Sequence, residues 1–199
     1  MHRCLDPARL LLAGLMLAAA AGCQGGGRGV AKERLDESSG VTVLADVQPV
    51  VFARTETRYS RSGRDYLYVG PVEANRQGTR EYYLWVGVGT TLDRGYIAPP
   101  GEAPDTLFFE VEGEPMELPL RPWIEREPGL DRARVYRPTV PLQSELAARV
   151  TLSQLRLLSG SALQRVRVRA AAGTEREYFR WDDGPIWRSF FSAITANAR

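Results

Sequence analysis

Residues 81–88, Glu-Tyr-Tyr-Leu-Trp-Val-Gly-Val, alternate with a period of two. Tyr82, Leu84, Val86 and Val88 share one face, while Tyr83 and Trp85 share the other. A helix would scatter these side chains around its axis, whereas a strand sorts them into two sets. Aromatic and β-branched residues also suit a pleated surface. A similar run, Arg-Asp-Tyr-Leu-Tyr-Val-Gly-Pro-Val, occupies residues 64–72. Between them, residues 73–79 contain Asn75 and Gly78, a composition that reverses a chain. The two runs therefore predict an antiparallel pair.

Other segments repeat the signal. Val41, Val43 and Ala45, then Val50-Val51-Phe52, read as strands. Leu107, Phe109 and Val111 alternate with Phe108, Glu110 and Glu112, as in a half-exposed strand. Val166, Val168 and Ala170 alternate with Arg165, Arg167 and Arg169, and this strand turns through residues 171–174 into Glu175–Trp181. Residues 93–105 include Pro99, Pro100, Gly101 and Pro104 and predict a loop. Pro115, Pro119, Pro122, Pro128, Pro138 and Pro141 confine their stretch to edge strands and irregular connections, because proline donates no ladder hydrogen bond. Residues 144–160 fit either a helix or a strand running into a short helix; Thr151 and Gln154 have capping-box spacing and Gly160 a helix-ending position. Asp183-Gly184-Pro185 predicts the start of a terminal helix burying Ile186, Phe190 and Ile194, flanked by Trp187 and Phe191. The expected fold is mainly β, a β-rich α+β class. It is an antiparallel sandwich-like domain over residues 41–199, with a C-terminal amphipathic helix and room for one further short helix near 152–159.

The N-terminal segment reads differently. Arg3 and Arg9 give a basic start, and an unbroken small-and-apolar run extends from Leu10 to Gly22. Its 13 residues fall short of the ~20 that a membrane-spanning helix requires. They match the central region of a cleavable signal peptide. The run closes on Ala20-Ala21-Gly22-Cys23, which resembles the lipobox of bacterial lipoproteins. That resemblance implies cleavage between Gly22 and Cys23 and lipidation of the Cys23 thiol. It divides the chain into a signal peptide (1–22), a lipidated flexible tether (23–40) and one globular domain (41–199). Residues 24–40 lack any apolar period and suit such a tether. Gln24, in place of the Asp that retains enteric lipoproteins at the inner membrane, implies anchorage in the outer membrane, at its periplasmic face rather than the cell surface. The membrane, reached through the lipid, is thus the first expected partner. The 64–88 aromatic pair is similar to hairpins in uncharacterised proteobacterial lipoproteins, a likeness that carries no activity with it.

Cleavage there would also remove chemistry. His2 is the only histidine, and His2 and Cys4 both precede Cys23. No Ser-His-Asp or Cys-His nucleophile system, conventional zinc site or intrachain disulfide is then available. Lys32 is the sole lysine. No cofactor and no metal site is expected. Without Arg3, Arg9 and Asp6, 24 basic residues face 23 acidic ones, which gives no general attraction to nucleic acid.

Two surface features are candidates for binding. The aromatic group Tyr59, Tyr66, Tyr68, Tyr82, Tyr83 and Trp85 would form a protein or glycan contact patch if one side of the hairpin faced solvent. The bland alternative is a two-sided core that buries these rings. The stripe Arg165, Arg167 and Arg169 has forks that match anionic groups, or else it is a solvated face offset by Glu175 and Glu177. Carboxylates are the remaining groups with catalytic precedent: Asp65 and Glu73 flank the first hairpin, and Asp182 and Asp183 stand at a turn. Asp182-Asp183-Gly184-Pro185 is better explained as a turn and helix cap. Gly87-Val88-Gly89 lacks the third glycine of a dinucleotide fingerprint and suits a bulge or a close backbone approach. The sequence therefore favours a non-enzymatic accessory module that binds an envelope protein or glycan. Its alternatives are a carboxylate-dependent hydrolase acting on envelope polysaccharide and an apolar-ligand carrier.

Overall fold

The computed structural model describes residues 31–37, 39–55, 62–92, 103–123 and 134–197. Among the described residues, eleven strands and two helices follow one another. The strands are β1 (Lys32–Asp36), β2 (Val41–Ala45), β3 (Val50–Thr55), β4 (Arg64–Arg76), β5 (Thr79–Thr90), β6 (Pro104–Val111), β7 (Glu114–Pro119) and β8 (Arg121–Pro122). After β9 (Leu142–Val150) come helix α1 (Leu152–Gly160), β10 (Arg165–Ala170), β11 (Glu175–Arg180) and helix α2 (Arg188–Ala196). No helix among the described residues is long and apolar enough to cross a membrane.

The fold is mainly antiparallel β, with a C-terminal helix and one further short helix. The strand order is β7-β6-β10-β11-β3-β4-β5-β9-β8, and β1 and β2 branch from β4. β7 and β8 are separated only by Leu120, whose N–H donates to the Asp105 carbonyl at 2.7 Å. Glu114–Pro122 therefore pairs with β6 at one sheet edge and β9 at the other. This brings the sheet almost to closure, as a barrel or sandwich-like shell. Pro115, Pro119 and Pro122 all fall in this seam, where lost donors disrupt the fewest ladders.

The long hairpin organises the rest. β4 and β5 pair from Asp65↔Thr90 to Arg76↔Thr79 around a two-residue turn at Gln77 (φ 49°) and Gly78 (φ 93°). Two successive positive-φ residues are what a tight hairpin matched to strand twist requires. On its other side β4 changes partner: Val69 pairs with β3 and Val72 with β2. Pro71 stands in the gap between them, where its missing N–H breaks no ladder.

Two apolar clusters occupy opposite faces of the sheet. The larger contains Phe52, Leu67, Val69, Leu84, Val86, Leu107, Phe109, Val166, Val168 and Tyr178, with Leu155 and Leu158 of α1 and Phe190 and Ile194 of α2. These side chains face the shell's interior. The smaller, on the outer face, contains Val43, Tyr68, Val72, Tyr83, Trp85 and Tyr136. The glycines of Gly87-Val88-Gly89 serve both purposes the sequence suggests. The β5–β9 register shifts between Val88 and Gly89, and a Cβ on Gly87 would lie 2.5 Å from the Trp85 ring.

Three boundaries differ from the sequence reading. Residues 32–36, assigned there to the tether, form β1, paired from Lys32↔Ala45 to Asp36↔Val41. Pro104 and Asp105, assigned to a loop, begin β6. Of the two readings for 144–160, strand into helix is observed, with the Thr151–Gln154 capping box formed in both directions. Helix α2 starts at Arg188, after Asp183-Gly184-Pro185 rather than at it. Trp187 takes a left-handed conformation (φ 48°) at the helix start, which swings its indole into the core, where Nε1 donates to the Val69 carbonyl at 3.3 Å. The cap comes from a distant residue. The buried Asp46 carboxylate accepts the Phe190 N–H at 3.2 Å and the Ser189 hydroxyl. Such a carboxylate satisfies free donors at a helix N-terminus as a local cap would.

Candidate functional site

The sheet separates the residues that alternation had grouped. Trp85 is wholly buried and Tyr83 and Tyr68 nearly so, all in the outer-face cluster. The strand segment does not cover them by itself. Tyr136 lies across Trp85 with ring centroids 5.0 Å apart, and Trp123 meets Tyr83 edge-on at 6.0 Å. Val135, Val140 and Leu142 complete the lid. The approach is close: a Cβ on Gly70 would sit 2.5 Å from the Tyr136 ring. The Tyr136 hydroxyl is buried, donates to the Pro71 carbonyl at 2.7 Å and accepts the Asp46 N–H at 3.2 Å. Burial pushes its pKa well up, with the nearby Asp46 charge adding to the rise.

Tyr82 faces the interior side, beside its cross-strand partner Glu73. Tyr82, Tyr83 and Trp85 are thus not one exposed patch. Tyr59 lies outside the described residues, as do Gly22 and Cys23.

Tyr66 has the opposite fate to Trp85. It is half-buried at the rim of the outer cluster and borders an area that no described segment crosses. Phe179 of β11 is 56% exposed and Trp181, just beyond the strand, is 54% exposed. Both point outward because Tyr178, one residue before Phe179, points into the core, and alternation puts Phe179 and Trp181 on the opposite side. The ladder continues past β11: the Trp181 N–H donates to the Val51 carbonyl at 2.9 Å. Phe179 faces Ala53, which in turn faces Tyr66, so a small side chain separates the two rings. Trp181 meets Tyr66 edge-on at 6.2 Å, and the Arg64 guanidinium lies 4.4 Å from the Trp181 ring centroid. The indole is therefore exposed yet held in place, since a cation over its face and an aromatic edge both restrict its rotation.

Sequence reasoning omitted Phe179 and Trp181 from the patch. The signal was present, because these two aromatics share parity with Glu175 and Glu177 rather than with Tyr178.

The arginine stripe adjoins this area, since Arg165 faces Phe179 across β10 and β11. Each arginine is already engaged. Arg165 meets Glu110 at 2.7 Å and Glu177 at 3.6 Å, Arg167 meets Glu175 at 3.3 Å, and Arg169 meets Glu117 at 2.7 Å. Arg167 and Arg169 also lie over the Phe108 ring. Three guanidinium groups are thus answered by four carboxylates drawn from both neighbouring strands and β7. Beside them, Phe108, Glu110, Pro115, Arg165 and Arg167 line an open depression of about 240 Å³.

The carboxylates are dispersed. Asp65 and Glu73 both lie on the interior-facing side of β4, eight residues apart, which is about 26 Å along a strand. That separation is far beyond the ~5–10 Å over which two carboxyl groups act on one glycosidic bond. Asp65 is buried and paired with Arg54 at 3.0 Å. Asp182 accepts the Val51 N–H at 2.8 Å and pairs with Arg180 at 3.1 Å, while Asp183 is exposed. Glu73 is buried, with Arg80 at 3.7 Å and one carboxylate oxygen lacking a hydrogen-bond partner. Burial raises its pKa, against the opposing pull of Arg80 and of a Tyr82 hydrogen bond. Among the described residues, no group of three or more His, Cys, Asp or Glu is placed to hold a metal ion. Comparison of the chain with protein-family models, curated proteins and solved structures gave no match.

Proposed function

We propose that this chain is a membrane-anchored envelope lipoprotein whose β domain is a non-catalytic binding module. In this reading the segment ending at Gly22 is removed and Cys23 carries the lipid. The domain then stands at the periplasmic face of the outer membrane and engages an envelope protein or glycan. One observation carries the binding assignment: two aromatic side chains, each more than half exposed, stand side by side with a third ring on the bare part of the outer face. Exposed rings that a neighbouring cation and an aromatic edge hold in position lose little freedom on meeting a partner, which favours binding. The dispersed carboxylates support this reading over a hydrolase, and the exposed aromatic patch supports it over an apolar-ligand carrier. A near-neutral charge balance argues against a nucleic-acid partner.

The test is direct. Mass spectrometry of the membrane-extracted protein is expected to find a diacylated Cys23 as the first residue. Immobilised protein is expected to retain envelope material that the double variant Phe179→Ser/Trp181→Ser releases. An unmodified chain beginning at Met1, or retention indifferent to both substitutions, would sink the proposal.

A further inference from the structure

The outer face beside β11 presents Trp181 and Phe179 over half exposed, with Tyr66 edge-on to the indole and Arg165 in the next register position. We infer that this surface is a binding site for an uncharged polysaccharide strand of β-linked pyranose rings. The inference rests on the binding-module reading above and names its ligand class.

Three observations favour that occupant. The first is area. A whole aromatic side chain covers about 150–250 Å², so two half-exposed rings and the rim of a third offer roughly 300 Å² at most. A stable protein interface needs about 800 Å² on each side. The aromatic patch by itself supplies less than half of that, whereas it spans one or two sugar rings.

The second is charge. Every arginine of the adjoining stripe is answered by glutamate, and Arg165 alone contacts two. A polyanion would have to displace those carboxylates and would be repelled by them once displaced. An uncharged polyhydroxylated chain can instead add hydrogen bonds to the free edges of both partners, because each guanidinium has five donors and each carboxylate about four acceptor sites.

The third is orientation. The Arg64 guanidinium lies 4.4 Å from the indole centroid and Tyr66 abuts it at 86°. The indole is set before any ligand arrives and stays 54% exposed. Pyranose rings with equatorial substituents carry axial C–H bonds on a flat surface, and such a surface packs on an aromatic plane. Ala53, between Phe179 and Tyr66, keeps the ground between the rings low enough for a flat strand to lie across it.

The experiment uses the full chain in detergent. Isothermal titration with chitotetraose, a β-1,4-linked N-acetylglucosamine oligomer, is expected to show saturable binding, and maltotetraose, an α-linked coil, much less. Trp181→Ala is expected to weaken chitotetraose binding by about tenfold or more. Trp181→Phe should recover part of it, with the thermal midpoint of both variants within a few degrees of the native value. No saturable binding of chitotetraose overturns the inference, as does binding that Trp181→Ala leaves intact. Stronger binding of inorganic polyphosphate, lost on Arg165→Ala, would overturn it in favour of an anionic ligand. Failure here, together with an envelope protein retained through Phe179 and Trp181, would remove the glycan and leave the binding module standing.

Discussion

Two stretches of one sheet face carry the same kind of residue and meet opposite conditions. Over β4 and β5, Trp85 and Tyr83 are buried because Trp123 and the segment around Tyr136 lie across them. A few residues away, over β11 and β3, no described segment crosses, and Phe179 and Trp181 stand more than half exposed. Tyr66 and Val51 lie between the two regions and touch the covered cluster. Alternation along a strand decides which side of the sheet a ring occupies. Whether that side is covered depends on a chain segment far away in sequence.

That contrast can be broken most severely at Trp85. Trp85→Ala is expected to cost about 3–5 kcal/mol of unfolding free energy, as for a large buried aromatic, whereas Trp181→Ala should stay within about 1 kcal/mol. Denaturant midpoints for the two variants test this, and equal losses would abolish the distinction between the regions. A smaller effect isolates the lid itself. Tyr136→Phe leaves the Pro71 carbonyl and the Asp46 N–H without their shared hydroxyl and should cost about 1–3 kcal/mol. The smallest expected effect lies on the other side of β4, at Glu73. Its folded pKa is raised by burial, so above that pKa the folded state bears the cost of a buried charge. Stability contributed by this group therefore grows as pH falls through the raised value towards the ordinary 4.5. Glu73→Gln should raise the denaturant midpoint slightly near neutral pH and flatten the acid side of the stability profile. A variant whose profile matches that of the native chain would show that the carboxyl is not so strained.

Much of the shell was legible in the sequence because its strands alternate strictly. The β4–β5 pair, the arginine-bearing β10 and the prolines at the seam all follow from period and from missing donors. β1 was not legible: Lys-Glu-Arg-Leu-Asp has no apolar rhythm, and its pairing with β2 gives it its place. The start of α2 was hidden for a different reason. A local cap at Asp183 is the natural reading, but Asp46 supplies the acceptor across 144 positions, and no window of sequence connects them. The candidate site was half visible. The strand period shows that Phe179 and Trp181 face outward, yet it cannot show that Tyr136 crosses over Trp85 and leaves those two bare.

Under the proposed lipid anchor, the position of β1 also sets how far this domain can roam. If Cys23 is the anchor, only eight residues separate it from Lys32, a leash of about 30 Å at full stretch, where a domain beginning at Val41 would have about 60 Å. Halving the radius cuts the volume swept to about one-eighth. A short leash trades search range for a higher local concentration near the bilayer, and suits a target that lies against the membrane rather than one deep in the compartment.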